Sequence, residues 1–456
     1  MANYKGVIST IITFNTRVSN SISSLTRNFS NSSILKSREY YLARSKEAVN
    51  YRLHLAKSRH LVGIRTTRGT REFNEDRYQA MVLELSEDKT VRDDGIVNQQ
   101  ILDEKNLENE EVEGKVGQIC YFALFDGHGG AQCADYLTAK LHKQIETVEA
   151  SDADGIVTEL RNIGGYFRRF KPSILENLLS PKVADVTLKK RPNNQKSGRE
   201  VLRKFPSSIP SPNSTQTIPL QTTPTVTTQP LSSPSTSLTL EQRLTLAYLK
   251  SDIEFLNIVE YNSIGSTASA ALIKSLDKRP FWTSNDIEIT IAHVGDTRIL
   301  LCDAENGNSI QLTFDHHPAS ITEIERLSKS GGFIITDSFG AEMYLGRLAN
   351  TRSLGDAKMK RFGITAEPEI SNHHMVGKKF AFMVLVSDGI TSVLSNQEIV
   401  DYVRASKLVD FADELGSNDN MTAMVVRLPG WGTSMPDHTK ELRKYRLDQN
   451  ITSRRR

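Results

Sequence analysis

The chain has 456 residues, and its 57 lysines and arginines against 54 aspartates and glutamates leave a formal net charge of +3. Hydrophobic residues make up 38% and charged residues 24%, which is the composition of a globular protein with a sizeable core. No stretch approaches the ~20 uninterrupted apolar residues of a transmembrane helix. Three cysteines without a CxxC pair argue against a disulfide scaffold and against a cysteine-rich zinc site.

The first segment, residues 1–38, has the composition of a targeting sequence. It carries five basic residues, nine serines and no acidic residue, with apolar residues spread among them. These features are typical of a mitochondrial transit peptide, and a disordered basic tail is the alternative. We therefore expect a mitochondrial protein. Cleavable presequences favour the matrix, and the intermembrane space stays open.

Residues 39–439 form the body of the protein and hold 45 basic against 52 acidic side chains. This acidic balance argues against nucleic-acid binding, because nucleic acid requires a basic face. A surplus of carboxylates fits a site for hard divalent cations instead. The tail from 440 to 456 has seven basic and two acidic residues, and we expect a solvated basic end there.

Apolar patterns predict the secondary structure of this body. The predicted elements are, in chain order, a strand at 77–83, a strand at 121–125, a helix with apolar residues at 134, 137, 141 and 145, a helix over 244–259, a strand at 287–294, a hairpin from 298 to 313 around Asn306-Gly307, and strands at 380–386 and 421–426. Many strands with few helices indicate an antiparallel α+β domain.

Two insertions interrupt these elements. Residues 87–113 carry ten acidic and three basic residues, and we predict a solvated loop. Residues 206–240 contain 24 serines, threonines and prolines among 35 residues and no charged residue. Such a segment buries too little apolar surface to offset the entropy of ordering it, so we predict disorder.

Acidic residues stand at the ends of five predicted strands, often beside a glycine. Clustered carboxylates repel each other, so holding several together needs positive charge, which Mg²⁺ or Mn²⁺ can supply. One aspartate at a strand end is most often a turn residue, whereas five strand ends together favour a divalent-metal site. The residues are Glu75-Asp76, Asp126, Asp296, Asp388 and Asp419.

Eight motifs between residues 60 and 428, outside the two insertions, resemble those of the metal-dependent protein phosphatases of type 2C, the PPM family. The resemblance implies a central β-sandwich of two antiparallel sheets flanked by α-helices, with the metal centre at one end of the sandwich. We assign this phosphatase domain to residues 39–439. The motifs are Arg71-Glu72-Phe73-Asn74-Glu75-Asp76, Phe125-Asp126-Gly127-His128-Gly129-Gly130, Gly265-Ser266-Thr267-Ala268, Val294-Gly295-Asp296-Thr297-Arg298, Leu312-Thr313-Phe314-Asp315-His316, Thr351-Arg352-Ser353-Leu354-Gly355-Asp356, Ser387-Asp388-Gly389 and Asp419-Asn420-Met421-Thr422.

The resemblance implies a ligand role for residues that match the family motifs. Asp126 would bridge two Mg²⁺ or Mn²⁺ ions. Glu75 and the backbone carbonyl of Gly127 would help to hold one ion, and Asp388 and Asp419 would help to hold the other.

Further roles are implied around these ligands. Asp76 would orient a metal-bound water, and Asp296 matches the place where some members bind a weaker third ion. Arg71 matches the phosphate-binding arginine, although a surface ion pair with a neighbouring glutamate is an alternative. His128 matches the proposed general acid, although it stands in a glycine-rich turn and could be a turn residue.

The implied reaction is hydrolysis of phosphoserine and phosphothreonine in proteins by a hydroxide that bridges the two ions. The family also includes pyruvate dehydrogenase phosphatases, so the phosphorylated α subunit of pyruvate dehydrogenase is a candidate substrate. We expect phosphoprotein partners and a monomeric catalytic domain. A catalytically inactive pseudophosphatase and a metal-dependent phosphodiesterase or nuclease are the alternatives.

Two histidine pairs and one hydroxyl pair suggest other chemistry, which their context argues against. His316-His317 and His373-His374 are adjacent residues that point to opposite faces of an extended chain, so we expect structural or surface roles. Ser266-Thr267 lacks the Gly-x-Ser-x-Gly elbow of a nucleophile, and we predict a buried strand there.

Overall fold

The computed structural model describes residues 39–45, 50–85, 99–101, 112–114, 118–185, 237–258, 263–328, 334–336, 342–346, 348–402, 405–432 and 435–454. The predicted transit peptide, most of the Ser/Thr/Pro-rich insertion and residues 87–98 and 102–111 of the acidic loop lie outside these residues.

The described residues form the following strands and α-helices. The strands are β1 (Tyr40–Ser45), β2 (Asn50–His54), β3 (Val62–Thr67), β4 (Arg77–Leu83), β5 (Gln99–Ile101), β6 (Val112–Gly114), β7 (Ile119–Phe125), β8 (Gly127–His128), β9 (Gly265–Ser266), β10 (Ala268–Ser275), β11 (Asp286–Val294), β12 (Arg298–Asp303), β13 (Ser309–Gln311), β14 (Ile334–Thr336), β15 (Glu342–Tyr344), β16 (Leu354–Gly355), β17 (Glu369–Val376), β18 (Phe380–Val386) and β19 (Met421–Arg427). The α-helices are α1 (Gln132–Thr147), α2 (Asp152–Ile163), α3 (Pro181–Ala184), α4 (Leu240–Leu256), α5 (Ile321–Ser328), α6 (Ala357–Lys360), α7 (Asp388–Thr391), α8 (Asn396–Asp401), α9 (Ala405–Glu414) and α10 (Lys440–Arg454).

Two five-stranded antiparallel sheets form the centre of the fold. The first sheet has the strand order β17-β11-β10-β7-β4, and the second has the order β13-β12-β18-β19-β3. Together with the helices, they confirm the predicted α+β sandwich of two antiparallel sheets.

Three apolar layers stack through this sandwich. The first lies between the first sheet and helices α1, α2 and α4, the second lies between the two sheets, and the third lies between the second sheet and helices α7 to α9. Strand β7 is buried along its whole length. Its alternate side chains enter the first and second layers, which explains why its sequence is continuously apolar.

Each layer contains one buried free cysteine. Cys133 lies in the first layer, Cys120 in the second and Cys302 in the third. The cysteines therefore act as small core residues.

The predicted elements of the body are confirmed, with boundaries shifted by a few residues. The helix predicted over 244–259 spans Leu240–Leu256, and residue 259 lies outside the described residues. The predicted hairpin is formed by β12 and β13, and its turn glycine, Gly307, has a φ of 69° and donates its N–H to the Asp303 carbonyl at 3.0 Å. A positive φ costs glycine little, which explains the residue at this turn.

Smaller sheets complete the fold. Strands β16, β9 and β8 form a three-stranded sheet that joins three of the sequence motifs near one end of the sandwich. Strands β14 and β15 form a two-stranded sheet. At the N-terminal side, β5, β2, β1 and β6 form a four-stranded sheet in which β2 and β5 are parallel.

The predictions for the two insertions need correction at their boundaries. Strands β5 and β6 lie within the segment that we predicted as a solvated loop, and they pair with β2 and β1, respectively. Ordered structure also begins inside the predicted 206–240 segment. Leu238 is buried in the first layer, and the Thr239 side chain accepts the N–H of Gln242, which caps helix α4.

The basic tail is helical, and most of its described side chains are exposed, but two of its arginines pack against the body. Residues 440–454 form helix α10, and Arg443 is 7% exposed. Its guanidinium lies 3.3 Å from Asp401 and 2.6 Å from Asp437. Arg446 forms a 2.6 Å ion pair with Glu398. The positive charge of the tail is thus partly neutralised by acids of the body, of which Asp401 and Glu398 are distant in sequence.

Among the described residues, no helix has both the length and the hydropathy that crossing a membrane requires.

Candidate metal centre

Three aspartates converge where strands of the two sheets end. Strands β7 and β11 both pair antiparallel with β10, so they run in the same direction and end at the same edge. Asp126 follows β7, Asp296 follows β11, and Asp388 follows β18 of the opposite sheet. These three side chains are half-buried, and each offers a carboxylate oxygen within 4.8 Å of the others. Together they could hold a cation.

Asp419 is close enough to Asp388 for its charge to raise the pKa of Asp388. The two residues stand at the ends of the neighbouring strands β18 and β19. A side chain on Gly389 would overlap the backbone oxygen of Asn420, and its Cβ would lie 3.2 Å from the Asp419 Cβ. The missing side chain at Gly389 therefore allows the backbone that follows Asp388 to pack closely against Asp419 and Asn420.

Glu75 lies against the loop that follows Asp126. A Cβ on Gly127 would lie only 2.7 Å from the Glu75 backbone oxygen and 3.3 Å from its Cβ. The buried Asn420 holds this segment in place by accepting the Glu75 N–H at 2.8 Å and donating to the Phe73 carbonyl at 2.9 Å. The two halves of the predicted ligand set, Glu75-Gly127 and Asp388-Asp419, are therefore linked by one amide side chain.

Asp76 lies beneath the cluster and is 3% exposed. Its Oδ2 accepts hydrogen bonds from Thr422 at 2.7 Å and from Ser387 at 3.0 Å. Its Oδ1 is buried without a hydrogen-bond partner among the described residues. Burial, with the charges of Asp388 and Asp419, raises the pKa of Asp76 to about 7.

The other carboxyls of the centre are also shifted toward the neutral acid. Burial and the charge of Asp388 raise the pKa of Asp126 well above its usual value, and the same causes raise the pKa of Asp296 to about 7. Burial and Asp419 raise the pKa of Asp388. Desolvation and like charge both oppose ionisation, and a bound cation would reverse the effect. The all-oxygen donor set and the unpartnered Asp76 oxygen fit a hard divalent ion such as Mg²⁺ or Mn²⁺.

Arg71 lies at the exposed rim of the centre. Its Nη2 donates to Asp419 at 2.7 Å, and its Nε donates to the Asn418 carbonyl at 3.1 Å. The surface pair that was the alternative for Arg71 thus exists, but its partner is a predicted metal ligand rather than Glu72 or Glu75. The guanidinium is close enough to the cluster to lower the pKa of Asp388, against the larger effect of burial.

His128 lies on β8, next to Gly127, and is bonded to an acid that we did not assign from the sequence. Its Nε2 donates to Asp356 Oδ2 at 2.8 Å. Burial lowers the pKa of His128, but the hydrogen bond and charge of Asp356 raise it above its usual value. A side chain on Gly265 would overlap both atoms of this pair, which explains the glycine in that motif.

Asp356 and Asn420 both belong to motifs that resemble those of the family. Asp356 is the last residue of Thr351-Arg352-Ser353-Leu354-Gly355-Asp356, and Asn420 directly follows Asp419. Their positions in these motifs were the sequence feature that could have marked both residues as part of the site. Their partners, however, lie more than 200 residues away along the chain.

The other histidines have structural contacts, as predicted. Buried His316 accepts the Gly295 N–H at its Nδ1, 3.0 Å away, and its Nε2 lies 3.2 Å from Glu369. His373 lies 2.9 Å from the Ser371 hydroxyl. Ser266 is buried in strand β9, which agrees with its interpretation as a strand residue rather than a nucleophile.

Comparison with known proteins reveals related sequences and structures. The family model described as Protein phosphatase 2C matches residues 214–419. Protein phosphatase 2C homolog 4 of Schizosaccharomyces pombe is 31% identical over 369 residues, which cover 78% of this chain and 83% of that protein. Mitochondrial Protein phosphatase 1K of Xenopus laevis is 38% identical over 176 residues, which cover 37% of this chain and 44% of that protein. The crystal structure of a serine-threonine phosphatase 2C from Toxoplasma gondii aligns with a TM-score of 0.47 at 18% identity, over 80% of this chain and 94% of that one.

Proposed function

Because this chain belongs to the protein phosphatase 2C family of metal-dependent serine/threonine phosphatases, we propose that its acidic centre binds two Mg²⁺ or Mn²⁺ ions and dephosphorylates mitochondrial phosphoproteins. One observation carries the proposal for the site: oxygens of Asp126, Asp296 and Asp388 approach within 4.8 Å of one another. Carboxylates this close repel each other, and bound divalent cations would offset that repulsion.

We propose Asp126 as the ligand shared by both ions. Glu75 and the backbone carbonyl of Gly127, which lie against each other, would help to hold one ion, and Asp388 and Asp419 would help to hold the other. Asp296 would contribute to a weaker third ion. When bound, the ions would lower the pKa of a coordinated water and offset the negative charge of the phosphate.

The chain's own side chains would perform the remaining steps. Arg71 would pair its planar guanidinium with two phosphate oxygens and so orient the phosphoryl group. Its present bond to Asp419 supports this role, because it keeps the guanidinium at the rim of the centre. Asp76 would accept a hydrogen bond from the attacking water through its unpartnered Oδ1. His128 would donate a proton to the leaving serine or threonine oxygen, which is strongly basic.

The alternative functions have less support. A pseudophosphatase would be expected to have lost ligands, whereas a carboxylate or glycine stands at every proposed ligand position. A phosphodiesterase or nuclease would be expected to have a basic groove, and the body of the chain is acidic.

We propose a mitochondrial location, with the matrix favoured, and residues 39–439 as the phosphatase domain, on which helix α10 packs. The acid-free composition of residues 1–38 supports the location, and so does the name of the mitochondrial relative from Xenopus laevis. The phosphorylated α subunit of pyruvate dehydrogenase is the candidate substrate. The direct test of location is a reporter fused to residues 1–38, and a reporter that stays in the cytosol would contradict the proposal.

The catalytic proposal is tested with the purified full chain. Phosphate release from a phosphothreonine peptide should require Mn²⁺ and should stop when EDTA is added. Asp388→Asn should lose nearly all turnover. Asp410→Asn is the matched control, because Asp410 is 61% exposed and lies 3.9 Å from Arg65 on the surface. Equal turnover in the two variants would refute the assignment of the metal centre.

A further inference from the structure

Lys360 and Asp252 form an ion pair in the interior of the protein. The Lys360 Nζ lies 2.7 Å from Asp252 Oδ2, and both side chains are 0% exposed. Removing two charges from water is costly, and buried ion pairs can often be replaced by apolar residues without loss of stability. Stability alone is therefore a weak reason for this pair.

Both partners hold the same short segment of backbone. Asp252, on helix α4, accepts the Gly355 N–H through its Oδ1 at 2.8 Å. Lys360, at the end of helix α6, donates to the Ser353 carbonyl at 2.8 Å. The pair thus connects two helices to the two ends of the segment 353–355.

This segment leads directly into Asp356, the partner of His128. Asp356 has a φ of 53°, a left-handed conformation that is unfavourable for a residue with a side chain. Its Oδ2 accepts hydrogen bonds from the Ser353 hydroxyl at 2.6 Å and from His128 Nε2 at 2.8 Å. Its N–H donates to the Ile264 carbonyl at 2.9 Å. Such a conformation persists only where the surroundings impose it.

We propose that the Lys360–Asp252 pair is a positioning unit for the reaction, which holds Asp356 in its left-handed conformation and thereby fixes the orientation of the His128 ring. This inference rests on the proposed role of His128 as general acid. Because Nε2 donates to Asp356, Nδ1 is the ring nitrogen that remains for proton transfer. The proton would pass from Nδ1 to the leaving oxygen, which leaves a neutral imidazole and a free serine or threonine hydroxyl.

The test compares two substrates at saturating Mn²⁺ with the full chain. A phosphothreonine peptide has a poor leaving group that needs a general acid, whereas p-nitrophenyl phosphate has a good one. Lys360→Met should lower kcat on the peptide by roughly 10–100-fold and should change kcat on p-nitrophenyl phosphate by less than about 3-fold. The KM values and the Mn²⁺ concentration for half-maximal activity should stay unchanged.

A double-variant comparison separates positioning from a structural role. In the His128→Ala background, Lys360→Met should cause no further loss on the peptide, because the pair acts through His128. A further loss in that background, or an equal loss on both substrates in the single variant, would overturn the proposal. If His128→Ala lowers kcat equally on both substrates, the general-acid role of His128 is refuted. That result is distinguishable from failure of the positioning role.

Two further variants keep the test informative if Lys360→Met does not fold. Ser353→Ala removes the hydrogen bond that the Ser353 hydroxyl donates to Asp356, and it should lower kcat on the peptide selectively by roughly 3–10-fold. An equal effect on both substrates would contradict the proposal. Arg443→Met breaks a buried ion pair of helix α10 away from the site, and it should leave the ratio of the two kcat values unchanged. A selective loss in this control would show that loss of stability alone produces the signature.

Discussion

Two groups of buried carboxylates in this protein have opposite electrostatics. Glu323 is fully buried, and five hydrogen bonds from Arg326, Arg352 and Thr351, between 2.5 and 3.0 Å long, reach its two oxygens. Although burial acts to raise it, the two arginines hold the pKa of Glu323 far below its usual value. The acidic centre shows the reverse, because the pKa values of Asp76, Asp126, Asp296 and Asp388 are all raised.

These opposite pKa shifts distinguish carboxylates that the protein neutralises with its own arginines from carboxylates that it does not. Around Glu323 the compensating charge is built into the chain, so this group contributes to the fold at any metal concentration. At the acidic centre the carboxylates repel one another, and Arg71, which donates to Asp419 at the rim, offsets only part of the rise in the pKa of Asp388. Either protonation or a bound cation would stabilise that arrangement, and this favours a ligand site.

Removing a carboxylate from the acidic centre should have the largest effect on function. Asp126→Asn should lower kcat on a phosphothreonine peptide by more than about 10²-fold, because it removes the proposed shared ligand. Mn²⁺ at ~100 times its Kd should stabilise the wild type by about 2.7 kcal/mol, and this gain should vanish in the variant. In EDTA the variant should unfold at a higher temperature than the wild type, since repulsion is relieved. Differential scanning calorimetry with and without Mn²⁺ measures both effects, and an unchanged Mn²⁺ response would contradict the prediction.

Removing the buried carboxylate of Glu323 should have the largest effect on the free energy of unfolding. Glu323→Gln leaves Arg326 and Arg352 without a buried counter-charge, so we expect a loss of about 3–5 kcal/mol in the free energy of unfolding. Urea unfolding measures the loss. The Mn²⁺-induced gain in stability should stay as large as in the wild type. A variant that loses the Mn²⁺ response instead of stability would break the contrast between the two regions.

The two regions should also respond differently to pH when metal is removed. The pKa of Asp76 and that of Asp296 are raised from 3.8 to about 7, so their contribution to stability is complete below about pH 4 and is lost as the pH rises through about 7. Glu323 has a depressed pKa, so its contribution is present above its usual value of 4.5 and is lost only at lower pH. Urea unfolding in EDTA should therefore show lower stability at about pH 8 than at about pH 5.5, and excess Mn²⁺ should reduce the difference. A metal-free protein that is more stable at the higher pH would refute this assignment.

The smallest effect is expected at an exposed pair, which provides the baseline. Lys171 lies 2.5 Å from Glu176, and their side chains are 29% and 61% exposed. Lys171→Ala should change the free energy of unfolding by only about 0.2–1 kcal/mol, because water screens the pair. The same urea measurement applies, with added salt as the control. A loss as large as that of Glu323→Gln would show that burial is not what separates the two carboxylate groups.

Much of the fold could be predicted because its strands have simple patterns. Strands β7 and β18 are continuously apolar since both of their faces are covered, and the acidic residues that follow them mark their ends. The shared edge of β7 and β11 then brings Asp126 and Asp296 together. The apolar runs and the acids at their ends are local patterns, so they can be recognised in a single sequence.

The missed features depend on partners that are distant in sequence. Asp356 contacts a histidine 228 positions away, and Asn420 contacts Glu75 across 345 positions. Helix α10 was missed because its basic residues looked solvated, whereas Arg443 and Arg446 meet acids of the body in the folded chain. Composition reports how many charges a segment has, but it does not report which of them are paired.

The three cysteines provide a natural set of labelling probes. Each apolar layer holds one of them, and burial raises the pKa of all three thiols. Since the thiolate is the reactive form, alkylation has to wait until the surrounding layer opens. Following Cys133, Cys120 and Cys302 by mass spectrometry after brief alkylation would therefore rank the three layers by opening rate, without any engineered residue.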